Sequence, residues 1–183
     1  MLNRNIKTDA VILAGGKGTR IKKFLQNKQK CVASFNNKTF LDYILRYLSK
    51  FDINKIYILT GHKSKEIFKK FNNKKINFIE ISCIREAKPL GTGGALNKLK
   101  QLGVNDFFLL NGDSIIDLNI NKLRDNINKD SIGIFSLIKN KNYNNNHKLN
   151  NLDLKKKKLV FSNKNSLMNA GVYFFKKRIL KFI

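Results

Sequence analysis

The chain has 183 residues, of which 42% are hydrophobic and 14 are phenylalanine, and this apolar content excludes an intrinsically disordered protein and favours one domain with a substantial core. No apolar run approaches the roughly 20 residues of a membrane-spanning helix, and Met1 to Thr8 is too polar for a secretory signal, so we expect a cytoplasmic protein without a membrane partner. The formal net charge of +25 would suit nucleic-acid binding, but lysines occur in every segment instead of one cluster, and we expect no specific nucleic-acid partner.

Apolar runs typical of strands alternate with amphipathic stretches typical of helices over the first 138 residues. We predict strands over 9–13, 55–60, 77–81, 107–110 and 131–138, and helices over 39–50, 64–71, from the glycine-rich turn at 89–95 to 102, and over 120–128. This order indicates a three-layer α/β/α domain with a mainly parallel, Rossmann-like sheet, in which these five strands form the core. The run 107–110 is wholly apolar, so we place it in the sheet centre.

The composition changes after residue 138. An Asn/Lys-rich connection covers 139–151, and the apolar triplets at 152–154 and 159–161 predict a small hairpin around the lysine run 155–158. A last strand is expected over 169–175 and a short helix from Arg178. Neither a repeat nor a linker divides the chain, so we predict a single domain.

The first strand leads directly into Leu13-Ala14-Gly15-Gly16-Lys17-Gly18-Thr19-Arg20. Glycines let a backbone approach an anion, and exposed N–H groups beside a cation bind phosphate. The loop is not a Walker A motif, because no Gly-Lys-Ser/Thr stands at the required spacing, and it lacks the third small residue of a dinucleotide fingerprint at Ile21. A tight turn alone would explain the glycines but not Thr19 and Arg20.

The loop resembles the signature of the sugar-phosphate nucleotidyltransferases, in which Leu-Ala-Gly-Gly-x-Gly-Thr-Arg is followed about ten residues later by Pro-Lys-Pro. Lys30 stands at the position of that lysine, whereas Gln29 and Cys31 replace the two prolines. The resemblance implies that Arg20 and Lys30 are catalytic residues that neutralise the charge of a triphosphate. It also implies nucleotide contacts by Leu13, Ala14, Gly15, Gly16, Gly18 and Thr19.

The turn at 89–95 resembles the base-recognition turn of the same family, and is most similar to the branch that acts on heptose 1-phosphate with GTP. The resemblance implies nucleotide binding by Pro89, Gly91, Thr92 and Gly93. Taken alone, a glycine-rich helix start is explained equally well by close packing of a helix against a strand.

Asn111-Gly112-Asp113 follows the strand expected at the sheet centre, at the edge where open α/β sheets bind their ligands. In the family this aspartate binds Mg²⁺, so the resemblance implies that Asp113 is a catalytic metal ligand and that Mg²⁺ is the cofactor. An aspartate after a strand is also a common turn or cap residue. Asn111 is expected on the sugar-phosphate side.

A last pair of segments resembles the sugar side of the family site, where Glu-Lys precedes Asn-Ala-Gly. Lys164 keeps the cation, and Asn169 and Gly171 keep the second motif, whereas Asn163 replaces the glutamate. The resemblance implies sugar-phosphate binding by Lys164, Asn169 and Gly171. Cys31 and Cys83 form no metal-ligand spacing with His62 or His147, so we expect reduced thiols.

Together the resemblances imply transfer of a nucleoside monophosphate from a nucleoside triphosphate to a sugar 1-phosphate, with 9–138 as nucleotide-binding core and 139–183 as a partial sugar-phosphate part. Family members continue beyond the position of Ile183 with a second metal-binding aspartate, which makes a catalytically impaired nucleotide-binding remnant the first alternative. A basic nucleic-acid-binding protein that uses the net charge of +25 is the second. It predicts an affinity for nucleic acid that falls steeply with salt. The base, the sugar and the oligomeric state stay open.

Overall fold

A computed structural model of the chain describes residues 6–16, 30–61, 64–86, 91–139, 152–155, 158–161 and 167–183. Short 3₁₀ helices cover Lys30–Val32 and Lys177–Phe182. The strands and α-helices are β1 Thr8–Leu13, β2 Ser34–Phe35, β3 Lys38–Thr39, α1 Phe40–Leu48, β4 Ile53–Thr60, α2 Lys65–Phe71, β5 Lys74–Ile76, β6 Ile79–Arg85, α3 Gly91–Gln101, β7 Phe107–Asn111, α4 Asn121–Asp125, β8 Gly133–Lys139, β9 Leu152–Lys155, β10 Lys158–Phe161 and β11 Leu167–Phe175.

Within these ranges nine strands form one mixed sheet, in the order β10-β9-β11-β7-β1-β4-β6-β5, and β8 also pairs with β11. The four strands β7, β1, β4 and β6 run parallel, and β11 lies antiparallel to β7. Connections between parallel strands pass through helices, as they must when both strands point the same way. The predicted mainly parallel, Rossmann-like α/β architecture is therefore confirmed.

The sheet separates two apolar cores, because successive residues of a strand point to opposite faces. Ile12 of β1 belongs to the core that also contains Leu41 of α1 and Ile67 of α2. Val11 belongs to the opposite core, together with Leu99 of α3. All residues from Phe107 to Leu110 are at most 3% exposed, which confirms the central place expected for this strand.

Three predicted elements differ from the structure. The strand expected over 77–81 covers Ile79–Arg85, because Asn77 and Phe78 adopt positive φ angles in a turn that joins β5 to β6. The strand expected over 131–138 forms, but it pairs antiparallel with β11 and does not complete the parallel core. Helix α4 has five residues, fewer than the nine expected over 120–128.

Helix α1 begins at the predicted cap. The Thr39 side chain accepts a hydrogen bond from the Asp42 backbone, and Asp42 accepts one from the Thr39 backbone, which forms a capping box. The buried face of this helix consists of Leu41, Ile44, Leu45 and Leu48, whereas Phe40, Tyr43 and Tyr47 lie at its margin and are only partly buried.

Candidate active site

The site lies where β1 and β7 end side by side at the carboxyl edge of the sheet. Leu13 is paired with Asn111, so the segments that follow both strands meet there. They enclose a pocket of about 200 Å³. Its lining consists of Leu13, Ala14, Gly16, Lys30, Cys31, Asn111, Gly112 and Asp113, which unites the first loop, the lysine and the aspartate singled out in the sequence.

Lys30 and Asp113 face each other across this pocket, 83 positions apart in the chain. The Lys30 Nζ donates to Asp113 Oδ2 at 3.4 Å, and the two side chains are 33% and 49% exposed. A long ion pair with this much solvent contributes little to stability, so a phosphate or a cation can replace either partner at low cost. The pocket thus presents one cation to anionic groups and one carboxylate to a cation.

Asp113 suits a hard cation that brings most of its own ligands. Its Oδ1 is 3.4 Å from the Ser114 hydroxyl, which donates to it. Among the described residues, no three His, Cys, Asp or Glu side chains lie close enough to form a metal site by themselves. Mg²⁺ is commonly bound by one or two carboxylates together with waters and substrate phosphates, and a single exposed aspartate beside a phosphate-binding loop fits that pattern.

Cys31 forms part of the pocket wall but is 3% exposed, and its Sγ is 4.0 Å from the Ala14 carbonyl oxygen. Burial, with a smaller contribution from the negative charge of Asp113, raises the pKa of this thiol to about 12. The neutral thiol is a poor nucleophile and a poor metal ligand. Both Cys31 and Cys83 are free, in agreement with the expected reduced thiols.

The first loop touches neighbouring backbone on both sides. The Gly112 N–H donates to the Leu13 carbonyl at 2.9 Å, and Gly15 packs against Gly61, which follows β4. In the part of the chain that the structure describes, no atom lies within 4 Å of the place where a side chain on Gly16 would stand. The sequence analysis missed Gly61 and also missed Glu86, whose carboxylate Oε1 is 3.8 Å from the position of a Cβ on Gly15. Their one sequence signal is that each directly follows a strand.

A bulge in β11 lies against the same edge. Between Asn169 and Tyr173 the register with β8 shifts, and Gly171 adopts a φ of +75°. The Asn169 side chain holds this shape, because its Oδ1 accepts from Gly171 N at 2.9 Å and its Nδ2 donates to the Tyr173 hydroxyl at 2.8 Å. The Gly171 backbone lies close to the Asn111 side chain, so these three predicted sugar-side residues are neighbours.

The remaining predicted residues are only partly described. Gly91, Thr92 and Gly93 form the first turn of α3, which follows the carboxyl end of β6. The predictions on Gly18, Thr19, Arg20, Pro89 and Lys164 fall outside the described residues. None of the described helices is long and apolar enough to cross a membrane.

Comparison with known sequences gives one family over most of the chain. The model of the family described as nucleotidyl transferase matches residues 9–183. The D-glycero-alpha-D-manno-heptose 1-phosphate guanylyltransferase of Campylobacter jejuni is 31% identical over 176 residues, which cover 93% of this chain and 76% of the relative. The bifunctional protein GlmU of Methanococcus maripaludis is also 31% identical, over 90% of this chain but only 39% of the relative.

Solved structures show the same fold. The crystal structure of HddC from Yersinia pseudotuberculosis complexed with GMP-PN superposes with a TM-score of 0.78 at 26% identity and covers 96% of this chain and 80% of that protein. The match therefore extends over nearly the whole chain.

Proposed function

This chain belongs to the nucleotidyl transferase family and is a sugar-1-phosphate nucleotidyltransferase; on this premise we propose that it transfers GMP from GTP to a heptose 1-phosphate. The observation that carries the proposal is the pocket in which Lys30 and Asp113 face each other at 3.4 Å beside the open backbone of Gly16. One cation, one carboxylate and accessible N–H groups are what a metal-bound triphosphate requires.

The reaction forms a bond between an oxygen of the sugar 1-phosphate and the α-phosphorus of the nucleotide, and it breaks the bond from that phosphorus to the pyrophosphate leaving group. The protein has to align the two anions and offset the charge that builds up between them. We assign this neutralising role to Arg20 and Lys30. Within a single domain, residues 9–138 hold the nucleotide and 139–183 contribute to the sugar phosphate.

On the nucleotide side, the backbone of the first loop receives the phosphates. We assign phosphate and ribose contacts to the segment from Leu13 to Thr19, and base contacts to the turn that contains Pro89, Gly91, Thr92 and Gly93. On the acceptor side, Lys164 binds the sugar phosphate and Asn111, Asn169 and Gly171 shape the sugar pocket. The packing of Gly171 against Asn111 supports one continuous acceptor surface.

Asp113 is the residue assigned to Mg²⁺, which when bound supplies charge neutralisation between carboxylate and phosphate oxygens. The long contact to Lys30 leaves this carboxylate available to a cation. Ser114, whose hydroxyl donates to the other carboxylate oxygen, helps to orient it.

Glu86 supports guanine as the base. Its carboxylate lies next to Gly15, and Glu86 directly follows β6, the strand that precedes the turn assigned to the base. A carboxylate is purely an acceptor, and guanine offers it two adjacent donors, N1–H and the 2-amino group, whereas uracil offers one. The similarity to a guanylyltransferase over 76% of that relative supports the same choice, and the substrate in that enzyme's name supports heptose 1-phosphate as acceptor.

The proposal is tested by pyrophosphate release from each of the four common nucleoside triphosphates with Mg²⁺ and D-glycero-α-D-manno-heptose 1-phosphate. We expect release with GTP to exceed release with the other three, and Asp113→Ala to lose at least about 100-fold in rate, the usual scale for a charge-stabilising group.

Asp125→Asn is the matched control, because Asp125 is an exposed aspartate on α4 and is paired with Arg124, which also contacts Asp52 at the amino-terminal end of β4, opposite to the edge that holds the pocket. Its rate should equal that of the wild type. Wild-type release no greater than that of Asp113→Ala would contradict the enzymatic proposal, and GTP binding by calorimetry without release would identify a nucleotide-binding protein instead. Release with a different triphosphate alone would contradict the assignment of the base.

A further inference from the structure

The first loop lies between two glycines that directly follow the two strands beside β1. Gly61 directly follows β4 on one side, and Gly112 directly follows β7 on the other. A Cβ on Gly61 would lie 2.8 Å from the Gly15 carbonyl oxygen, and a Cβ on Gly112 would lie 2.6 Å from the Leu13 carbonyl oxygen. The backbone of 13–15 therefore runs in a slot that only glycines on both sides leave wide enough.

The contact at Gly61 involves backbone atoms on both sides. A Cβ there would also lie 3.2 Å from Gly15 Cα, and a Cβ on Gly15 would lie 3.3 Å from Gly61 N. Among the described residues, the three atoms nearest to a Cβ on Gly61 are all backbone atoms of Gly15, which cannot turn aside as a flexible side chain could. Any side chain at position 61 must therefore move one backbone relative to the other.

The segment around Gly61 is the better anchored of the two. Thr60 accepts from Glu86 N at 2.8 Å, and the Thr60 hydroxyl donates to the Ile84 carbonyl at 3.0 Å. Thr60 is fully buried. By contrast, Gly16 has no atom of another described segment within 4 Å of the place of a side chain. A methyl group on Gly61 should therefore displace the loop and leave β4 in place.

We propose that Gly61 is a positioning residue for the nucleotide: its bare backbone sets where the phosphate-binding loop lies relative to Lys30 and Asp113. The inference rests on the proposed function, since it assumes that the first loop receives the triphosphate. Gly61 itself contacts the loop and not the reacting groups, so its effect on catalysis passes through Gly15 and Gly16.

The test compares GTP binding and turnover of the wild type with Gly61→Ala. A displacement of about 1 Å at such a loop can cost on the order of 100-fold in rate. Because the same loop is assigned to bind the phosphates, we expect GTP affinity measured by calorimetry to fall roughly 10-fold to 100-fold. The KM for GTP should rise by a similar factor, while the KM for the sugar 1-phosphate stays unchanged. A general loss of folding would not separate the two KM values.

Ile53→Val is the matched control for stability, because Ile53 is buried at the opposite end of the same strand. It should lower the free energy of unfolding and leave GTP affinity unchanged. Gly15→Ala presses on the same contact from the loop side, at a milder 3.3 Å, and is measured as well in case Gly61→Ala does not fold. It should also weaken GTP binding.

Two outcomes overturn different statements. Wild-type protein that binds no GTP would overturn the proposed function, and the positioning role with it. Wild-type protein that binds GTP would overturn the positioning role alone if folded Gly61→Ala, or folded Gly15→Ala where the former does not fold, bound GTP with the same affinity.

Discussion

Cys31 shows how strongly burial can change the pKa of a side chain. It stands where the family pattern has a proline, and the surrounding core raises the pKa of its thiol from an ordinary 9.0 to about 12. A raised pKa means that the folded state holds the proton more tightly than the unfolded state. The resulting stabilisation is complete below pH 9 and is lost progressively as the pH rises from 9 towards 12.

Replacing this thiol should therefore flatten the alkaline loss of stability. For Cys31→Ala we expect the free energy of unfolding to fall less steeply above pH 9 than in the wild type, by up to about 1.4 kcal/mol per pH unit. Urea unfolding at a series of pH values measures this slope. Cys83→Ala is the matched comparison, since burial raises the pKa of Cys83 to about 11 and its effect should end one pH unit earlier. Equal slopes for Cys31→Ala and the wild type would contradict the prediction.

Single residues of the pocket were predictable where a motif identified them. Lys30 and Asp113 were expected to serve one site, and the structure brings them within 3.4 Å of each other. Gly61 and Glu86 were missed because a glycine or a glutamate after a strand is common in sequences. The parallel register of β1 and β4 places Gly61 beside Gly15, and local sequence spacing does not predict this register.

The bulge in β11 carries two of the residues proposed for sugar-phosphate binding, Asn169 and Gly171. Gly171 adopts a φ of +75° in this bulge, and a Cβ on it would lie only 2.7 Å from Asn111 Nδ2. For Gly171→Ala we expect a loss of about 1–3 kcal/mol in the free energy of unfolding, because the positive φ and the clash both oppose a side chain. The displaced Asn111 should also raise the KM for the sugar 1-phosphate, measured with the transfer assay.

Val172→Ala is the control for this element, since Val172 is the next residue of the same strand and is buried in the core. It should reduce stability by a comparable amount through loss of packing and leave the KM for the sugar 1-phosphate unchanged. A Gly171→Ala protein with wild-type KM would show that the bulge serves only the sheet.

Elements were predicted well where the apolar pattern is decisive and poorly where pairing decides. The wholly apolar β7 could be placed in the centre because both of its faces are buried. The strand at 77–81 was misplaced because Asn77 and Phe78 form the turn of a short hairpin, and a phenylalanine gives no turn signal. The partner of β8 is the distant strand β11, and even their nearest paired residues, Lys139 and Leu167, are 28 positions apart, beyond the reach of a periodicity argument.

At the scale of the whole molecule, the formal charge of +25 is distributed along the chain, and the acidic residues are so few that one carboxylate makes several contacts. Glu80 lies 3.7 Å from the amino group of Lys55 and 3.9 Å from that of Lys75. Asp42 caps α1 and also accepts from Lys70 at 2.5 Å; burial opposes its charge, but these hydrogen bonds prevail and lower its pKa. Most of the remaining cations repel one another across the surface.

This repulsion predicts that salt stabilises the protein. Raising the sodium chloride concentration from about 0.01 M to about 0.1 M shortens the Debye length from about 30 Å to about 10 Å and screens repulsion between distant lysines more than attraction within contact pairs. We expect the Tm to rise by at least roughly 2–4 °C, which corresponds to about 1 kcal/mol for a chain of this size. Scanning calorimetry in sodium and potassium chloride at equal ionic strength separates screening from binding of a particular cation. A Tm that stays constant or falls would mean that the ion pairs, and not the excess of 25 positive charges, dominate the electrostatics of folding.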